Sequence, residues 1–184
     1  MSKTKFNIDE CRQRAMSRFK DTALQSRVLR AEEDALRDFS NLLAECESPI
    51  EMSLLTAMFD NPSFDGFAFT PKQHHRFFFH AARDKCVCAQ FQIDRFRCDF
   101  ALTVQHPYGT RTKIVIECDG HDYHERTKEQ ARRDRSRDRL MTADGWRVLR
   151  FTGSEIHRDA DACVEEIASI IENDSIDDWR SANG

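Results

Sequence analysis

Residues 113–124 read Lys113-Ile114-Val115-Ile116-Glu117-Cys118-Asp119-Gly120-His121-Asp122-Tyr123-His124, and the fold turns on this stretch. Lys113 to Ile116 is an apolar-rich run of β character. It ends in two carboxylates, Glu117 and Asp119, two positions apart. Side chains alternate across a strand, so residues i and i+2 share a face about 7 Å apart. Gly120 breaks the run, and two histidines follow at once. Carboxylates on one face at the end of a buried strand cost free energy unless something compensates them. A hard divalent cation is the usual compensation. The stretch therefore predicts half of a metal site.

The other half lies upstream. In the run from Phe96 to Leu102, alternation puts Phe96, Cys98, Phe100 and Leu102 on one face. Asp99 shares the opposite face with Arg97 and Ala101. A charged residue in mid-strand is expensive filler. Pro107-Tyr108-Gly109 supplies turn chemistry between the two runs, so they are expected to pair as neighbouring antiparallel strands and to bring Asp99 close to Glu117. The plainer alternative is two strands whose acids face solvent.

At 184 residues the chain is long enough for one domain with an appendage and a real core. Fourteen Phe against two Tyr predict a phenylalanine-rich core. No run of 18 apolar residues occurs, and no secretory apolar segment, so neither a membrane span nor a leader is expected. The seven cysteines are odd in number and scattered, which fits reduced thiols and a cytoplasmic location. A net charge of −4 argues against a generally basic nucleic-acid binder. The distribution says more: residues 111–150 carry eleven Lys/Arg against eight acids, and residues 151–184 carry two against nine. A basic central segment beside an acidic tail suggests a local phosphate-facing surface, the alternative being a solvated helix.

Residues 8–47 lack Gly and Pro and repeat apolar positions at helical steps, as one long helix or two. Ser48-Pro49-Ile50-Glu51 reads as a helix start with Ser48 at the N-cap and Glu51 in a capping box. Thr70-Pro71-Lys72-Gln73 repeats that signal, although the following His74 to Phe79 could equally be a strand. Ala89 to Ile93 reads as a strand. A further capping box at Thr127 to Gln130 predicts a helix over 128–143, rich in arginine. Pairs Glu129–Arg133 and Asp134–Arg137 are within reach along it, and at least one of its arginines is expected to pair with Asp134 or Asp138. Trp146 to Phe151 reads as a strand, 160–173 as a last helix, and the chain from Asp174 as a frayed tail. The expected division is a helical extension over 1–47, an α/β core with a mixed sheet over 48–173 and a tail over 174–184. Strand 113–119 should run parallel to strand 146–151, with Glu117 and Asp119 at a carboxyl end, where sites collect in open α/β sheets.

A helix with Glu51, a strand with Asp99, a strand with Glu117-x-Asp119-Gly120, a basic helix, and then Gly145-Trp146-Arg147-Val148-Leu149-Arg150-Phe151 resembles the PD-(D/E)XK, restriction-endonuclease-like nuclease superfamily. Within it, the chain is similar to small bacterial domains akin to the very-short-patch-repair endonucleases. The resemblance covers roughly residues 48–171. It implies a Mg2+-dependent DNA endonuclease, with Mn2+ able to substitute. Asp99 matches the central metal-binding aspartate and Glu117 the second acid, and the backbone carbonyl of Cys118 would complete the protein ligands. Glu51 matches an acid contributed by the first core helix, and His124 a catalytic histidine. The chain departs from the pattern at Asp119, which stands where the superfamily usually has a lysine. Lys113 lies about 13 Å along the strand from Glu117, too far to substitute. His124, Lys128 or Gln130 could take over.

The chemistry is coherent with the residues. A cation held by Asp99, Glu117 and Asp119 would activate water and clamp the phosphate, while His124 could move a proton near neutral pH. Lys128, Gln130, Arg132, Arg133, Arg135 and Arg137 would face DNA phosphates without reading bases. Two other readings stand beside this one. Cys118, His121 and His124 offer zinc-type ligands if the chain bends away from strand geometry at Cys118. A nuclease fold can also serve as a non-catalytic nucleic-acid-binding module. The N-terminal helices could mediate a homodimer or bind a partner subunit. Substrate structure, nicking against double-strand cutting, and biological pathway are not encoded in these motifs.

Overall fold

The structure is a computed structural model describing residues 22–70, 84–120 and 128–184, with the side chains at 22–29, 31–32, 128–131 and 133–134 left aside. Two compact units divide at 37/38. The described part of the first is helical. It belongs to α1 (Thr22–Leu43), which continues into the second unit.

The second unit holds α2 (Pro49–Asp60), a 3-10 turn (Pro62–Phe64), β1 (Ala68–Thr70), β2 (Lys85–Ile93), β3 (Phe96–Gln105), β4 (Arg111–Asp119), α3 (Lys128–Ala143), β5 (Arg147–Thr152) and α4 (Gly153–Asn183). The five strands form one sheet in chain order. β1–β2 and β4–β5 are parallel, whereas β2–β3 and β3–β4 are antiparallel. One face packs on α2 and α4 through residues such as Leu54, Met58, Phe100, Ile116, Val164 and Ile167. The other packs on the α3–β5 region through Met141 and Trp146 against Cys88, Phe91, Ala101 and Val115. This is the mixed α/β, restriction-endonuclease-like architecture, with an N-terminal helical region. No described helix is long and apolar enough to cross a membrane.

The alternation expected along β3 fails at one rung. β2 and β3 keep constant register from Ile93↔Phe96 through Phe91↔Cys98 and again from Ala89↔Phe100, yet Gln90 and Asp99 do not pair. Gln90 has φ 49, a left-handed backbone that costs a non-glycine residue about 1 kcal/mol or more. Both strands turn over there. Val87, Ala89, Phe100 and Leu102 face the α2/α4 core, whereas Phe91 and Cys98 join Cys86, Cys88 and Ala101 in the other. Cys98 and Phe96 are thus not on the face of Phe100 and Leu102.

Helix ends follow their caps. Ser48 Oγ accepts from Glu51 N at the start of α2, with Pro49 in the first turn. Helix α3 stops at Gly145 (φ 81), where Trp146 N reaches Met141 O at 2.9 Å. Lys113 Nζ donates to Asp144 O at 2.6 Å and lies over the Trp146 ring, so it secures this turn.

The frayed tail expected from Asp174 is helix instead. α4 has a capping box at Thr152 and Glu155 and breaks at Asp159 (φ −161, ψ 86), which accepts from Ala162 N and restarts the helix. Its last turns are held from a distance. Asp178 accepts from Tyr108 N and Thr110 N at 2.8 and 2.9 Å. Asp174 accepts from Thr112 Oγ1 and pairs with Arg147.

Candidate active site

The β3–β4 ladder ends at Phe100↔Ile116. Beyond it the strands part, and Asp99 fills the fork: its Oδ2 accepts the Cys118 N–H at 2.7 Å. Burial pushes the Asp99 carboxyl up to about 6, the Cys118 N–H holding it down and Glu51 adding to the rise. Glu117 is 8% exposed. Burial pushes it up to about 7, with Arg137 opposing and Asp99 reinforcing the shift. Asp99 thus opposes the ionisation of Glu117, while Glu51 and Asp119 oppose that of Asp99, the signature of acids gathered at one place.

The cation beside these acids comes from the helix. Arg137 Nη2 forms an ion pair with Glu117 Oε1. Arg137 lies one turn before Met141, which is buried in the core, so counting back four from Met141 places this arginine inward. Arg150, the β5 partner of Glu117 in register, is held instead by a two-pronged pair with Asp138 at 2.8 and 2.6 Å. Among the described residues the helix pairs with the sheet, through Arg137–Glu117 and Asp138–Arg150, so Asp138 takes an arginine of β5 and not one of its own helix. Arg137 is turned to the acids and not to the outer face. Arg132, Arg135 and Arg139 are exposed.

Glu51 is 5% exposed and fully engaged. Its Oε1 accepts from Ser48 Oγ at 2.6 Å, and its Oε2 from Glu47 N and Gln90 Nε2, both at 2.9 Å. The capping box expected here is formed on one side only, Ser48 Oγ accepting Glu51 N, while the carboxylate takes Glu47 N and Ser48 Oγ in place of Ser48 N. Gln90 is the partner that sequence reasoning missed, although a lone amide amid Val87, Cys88, Ala89 and Phe91 was its signal. Asp119 ends β4 beside Thr152 of β5. His124 lies outside the described residues, as do His74, His75, His80, His121, the cap at Thr127 and the segment expected to start after Thr70, which itself ends β1. The side chains of Lys128, Gln130 and Arg133 lie outside them too, and with them the pairs Glu129–Arg133 and Asp134–Arg137.

Among the described residues no three His, Cys, Asp or Glu side chains form a ready metal cage. Donor chemistry nonetheless fits a hard cation. Mg2+ is commonly held by one or two carboxylates together with substrate phosphates and water, and half-buried Asp99 and buried Glu117 are two oxygen donors that a cation would relieve. A zinc thiolate at Cys118 fits poorly. β4 stays a regular strand through Cys118↔Phe151 and Asp119↔Thr152. The Cys118 side chain packs toward the α2/α4 core, and burial pushes its thiol up, away from the thiolate that zinc needs.

Residues 81–171 match the family model REase_MTES_1575, a restriction-endonuclease-like family. The sheet is of restriction-endonuclease-like fold, and this match supports a nuclease-type domain built on it. An uncharacterized protein of Haemophilus influenzae is 33% identical over 66 residues, 36% of this chain and 53% of that protein. The chain thus spans about half the length of that curated relative. No solved structure gives a significant match. The narrower likeness to very-short-patch-repair endonucleases is not carried by these matches.

Proposed function

We propose that the chain is a Mg2+-dependent DNA endonuclease in which Asp99 and Glu117 hold the cation. One observation carries this reading: a half-buried carboxylate, Asp99, and a buried one, Glu117, both pushed up by burial, sit on adjacent strands where the β3–β4 ladder opens. A bound divalent cation supplies an activated water and a clamp on the phosphate oxygens. Asp99 is oriented for that work by the Cys118 N–H, and Asp119 is a further oxygen donor at the same strand end. Glu51 adds negative charge behind Asp99. The residue in the superfamily's lysine position is Asp119, and Arg137 is the cation that reaches the acids. A guanidinium does not deprotonate in proteins, so Arg137 serves charge stabilisation and not proton transfer. Its buried Nε has no hydrogen-bond partner among the described residues. Proton transfer is left to His124. Arg132, Arg135 and Arg139 offer an exposed basic surface on α3 for flanking phosphates.

The test is end-labelled single- and double-stranded DNA incubated with Mg2+, Mn2+ or EDTA. Cleavage in either metal and none in EDTA supports the reading. Cleavage unaffected by EDTA, or none on any substrate by folded protein, counts against it. A non-catalytic DNA-binding module is the second reading, favoured by the ion pair that Arg137 makes with Glu117. Its mark is metal-independent DNA binding with no turnover.

A further inference from the structure

Gln90 stands at the rung opposite Asp99, and its geometry is costly in three ways. Its backbone is left-handed (φ 49) in mid-strand. It makes no ladder pair with Asp99. It is 4% exposed, with Oε1 lacking a hydrogen-bond partner among the described residues. An apolar, extended residue would serve the sheet better, because an unsatisfied buried acceptor and a left-handed strand residue both oppose folding. What the geometry achieves is local. It turns the strands over, frees Asp99 from the ladder and sends the Gln90 amide to Glu51, Nε2 to Oε2 at 2.9 Å. A carboxylate accepts only, so that bond fixes which end of the amide is the donor and leaves Oε1 as the open acceptor.

We propose that Gln90 is a positioning residue of the Asp99–Glu117 site, holding Glu51 behind Asp99 and presenting Oε1 to a water of a hydrated divalent cation. This rests on the cation-dependent reading above. The cation's water would satisfy the acceptor that the fold leaves open, which gives the strained rung a function. Strained backbone retained beside a site is commonly part of that site's preorganisation.

The experiment titrates Mn2+ into the metal-free full chain, reading bound metal by electron paramagnetic resonance and melting temperature in parallel. Three proteins are compared: wild type, Gln90→Asn and Gln90→Gly. Asn and Gly both tolerate a left-handed backbone, so both variants should fold, with Gln90→Gly melting below wild type because it removes the donor to Glu51 and leaves a void. Asn is one methylene short of Glu51, and Gly has no amide. The expected result is a loss of Mn2+ affinity of about 10- to 100-fold in both, read at a temperature where all three proteins are folded. Wild-type affinity in both variants would overturn the role of Gln90 while leaving the cation reading intact. Absence of Mn2+ binding by the wild type would overturn both.

Discussion

Asp99 takes the Cys118 N–H at the point where β3 and β4 stop pairing, so a side chain continues what the backbone ladder abandons. The bond fixes a carboxylate in the fork without spending a strand residue on sheet pairing. It also places that carboxylate where its charge is opposed by burial and by Glu51.

The first prediction follows from that opposition. The Asp99 carboxyl is pushed from 3.8 to about 6, so the folded chain holds this proton more tightly than the unfolded one. The associated stability is present below the unfolded value and is lost as pH rises through the folded value. Asp99→Asn keeps an acceptor for Cys118 N–H and removes the charge. In EDTA at about pH 8 it should be more stable than wild type by about 1–3 kcal/mol, a gain that disappears near about pH 4. Added Mg2+ should stabilise wild type more than the variant. Urea titrations across pH check both signs.

Arg137 is the counterpart of Glu117, and both are largely buried. Arg137→Met strands a buried carboxylate and should cost about 3 kcal/mol at about pH 8. The loss should be smaller near about pH 6, because Glu117 then takes up a proton. Cleavage should fall on the order of 10²–10³-fold even where the variant is folded, since a charge-stabilising donor is gone. Chemical denaturation and single-turnover cleavage separate the two effects.

How much was legible in the sequence can be argued from these same residues. Glu117 and Asp119 at the end of an apolar run, with Asp99 in the preceding strand, were visible because carboxylates in buried strands are rare. Parallel pairing of β4 with β5 followed from a strand–helix–strand order. The turnover at Gln90 and Asp99 was not visible, because period-two reading assumes extended φ at every residue. The inward turn of Arg137 was hidden in a helix carrying arginine on every side. The last turns of α4 read as tail because what holds them, Tyr108 and Thr110, lies about 70 residues away in sequence. Local pattern carries no signal for such contacts.

The exposed arginines of α3 give a third prediction. Replacing Arg132, Arg135 and Arg139 together with Gln should weaken DNA binding evenly across sequences and lower the slope of log affinity against log salt by about 2–3. Fluorescence anisotropy in EDTA measures this without cleavage. An unchanged slope would place the phosphate contacts elsewhere.

Asp178 gives a fourth. It is buried and accepts two backbone N–H groups of the β3–β4 turn. Asp178→Ala leaves both donors without this acceptor and should lower the melting temperature and open the end of α4 to proteolysis. Melting and cleavage patterns identical to wild type would show that the clasp contributes nothing.

The most direct measurement of the central claim is relaxation of supercoiled plasmid by wild type and Glu117→Ala, each with Mg2+ and with EDTA, after both are shown to be folded and to bind DNA. The expected result is nicked or linear product from wild type with Mg2+ alone. Equal cleavage by Glu117→Ala, or none from wild type on plasmid that it binds, would contradict the assignment of Asp99 and Glu117 as a hydrolytic site.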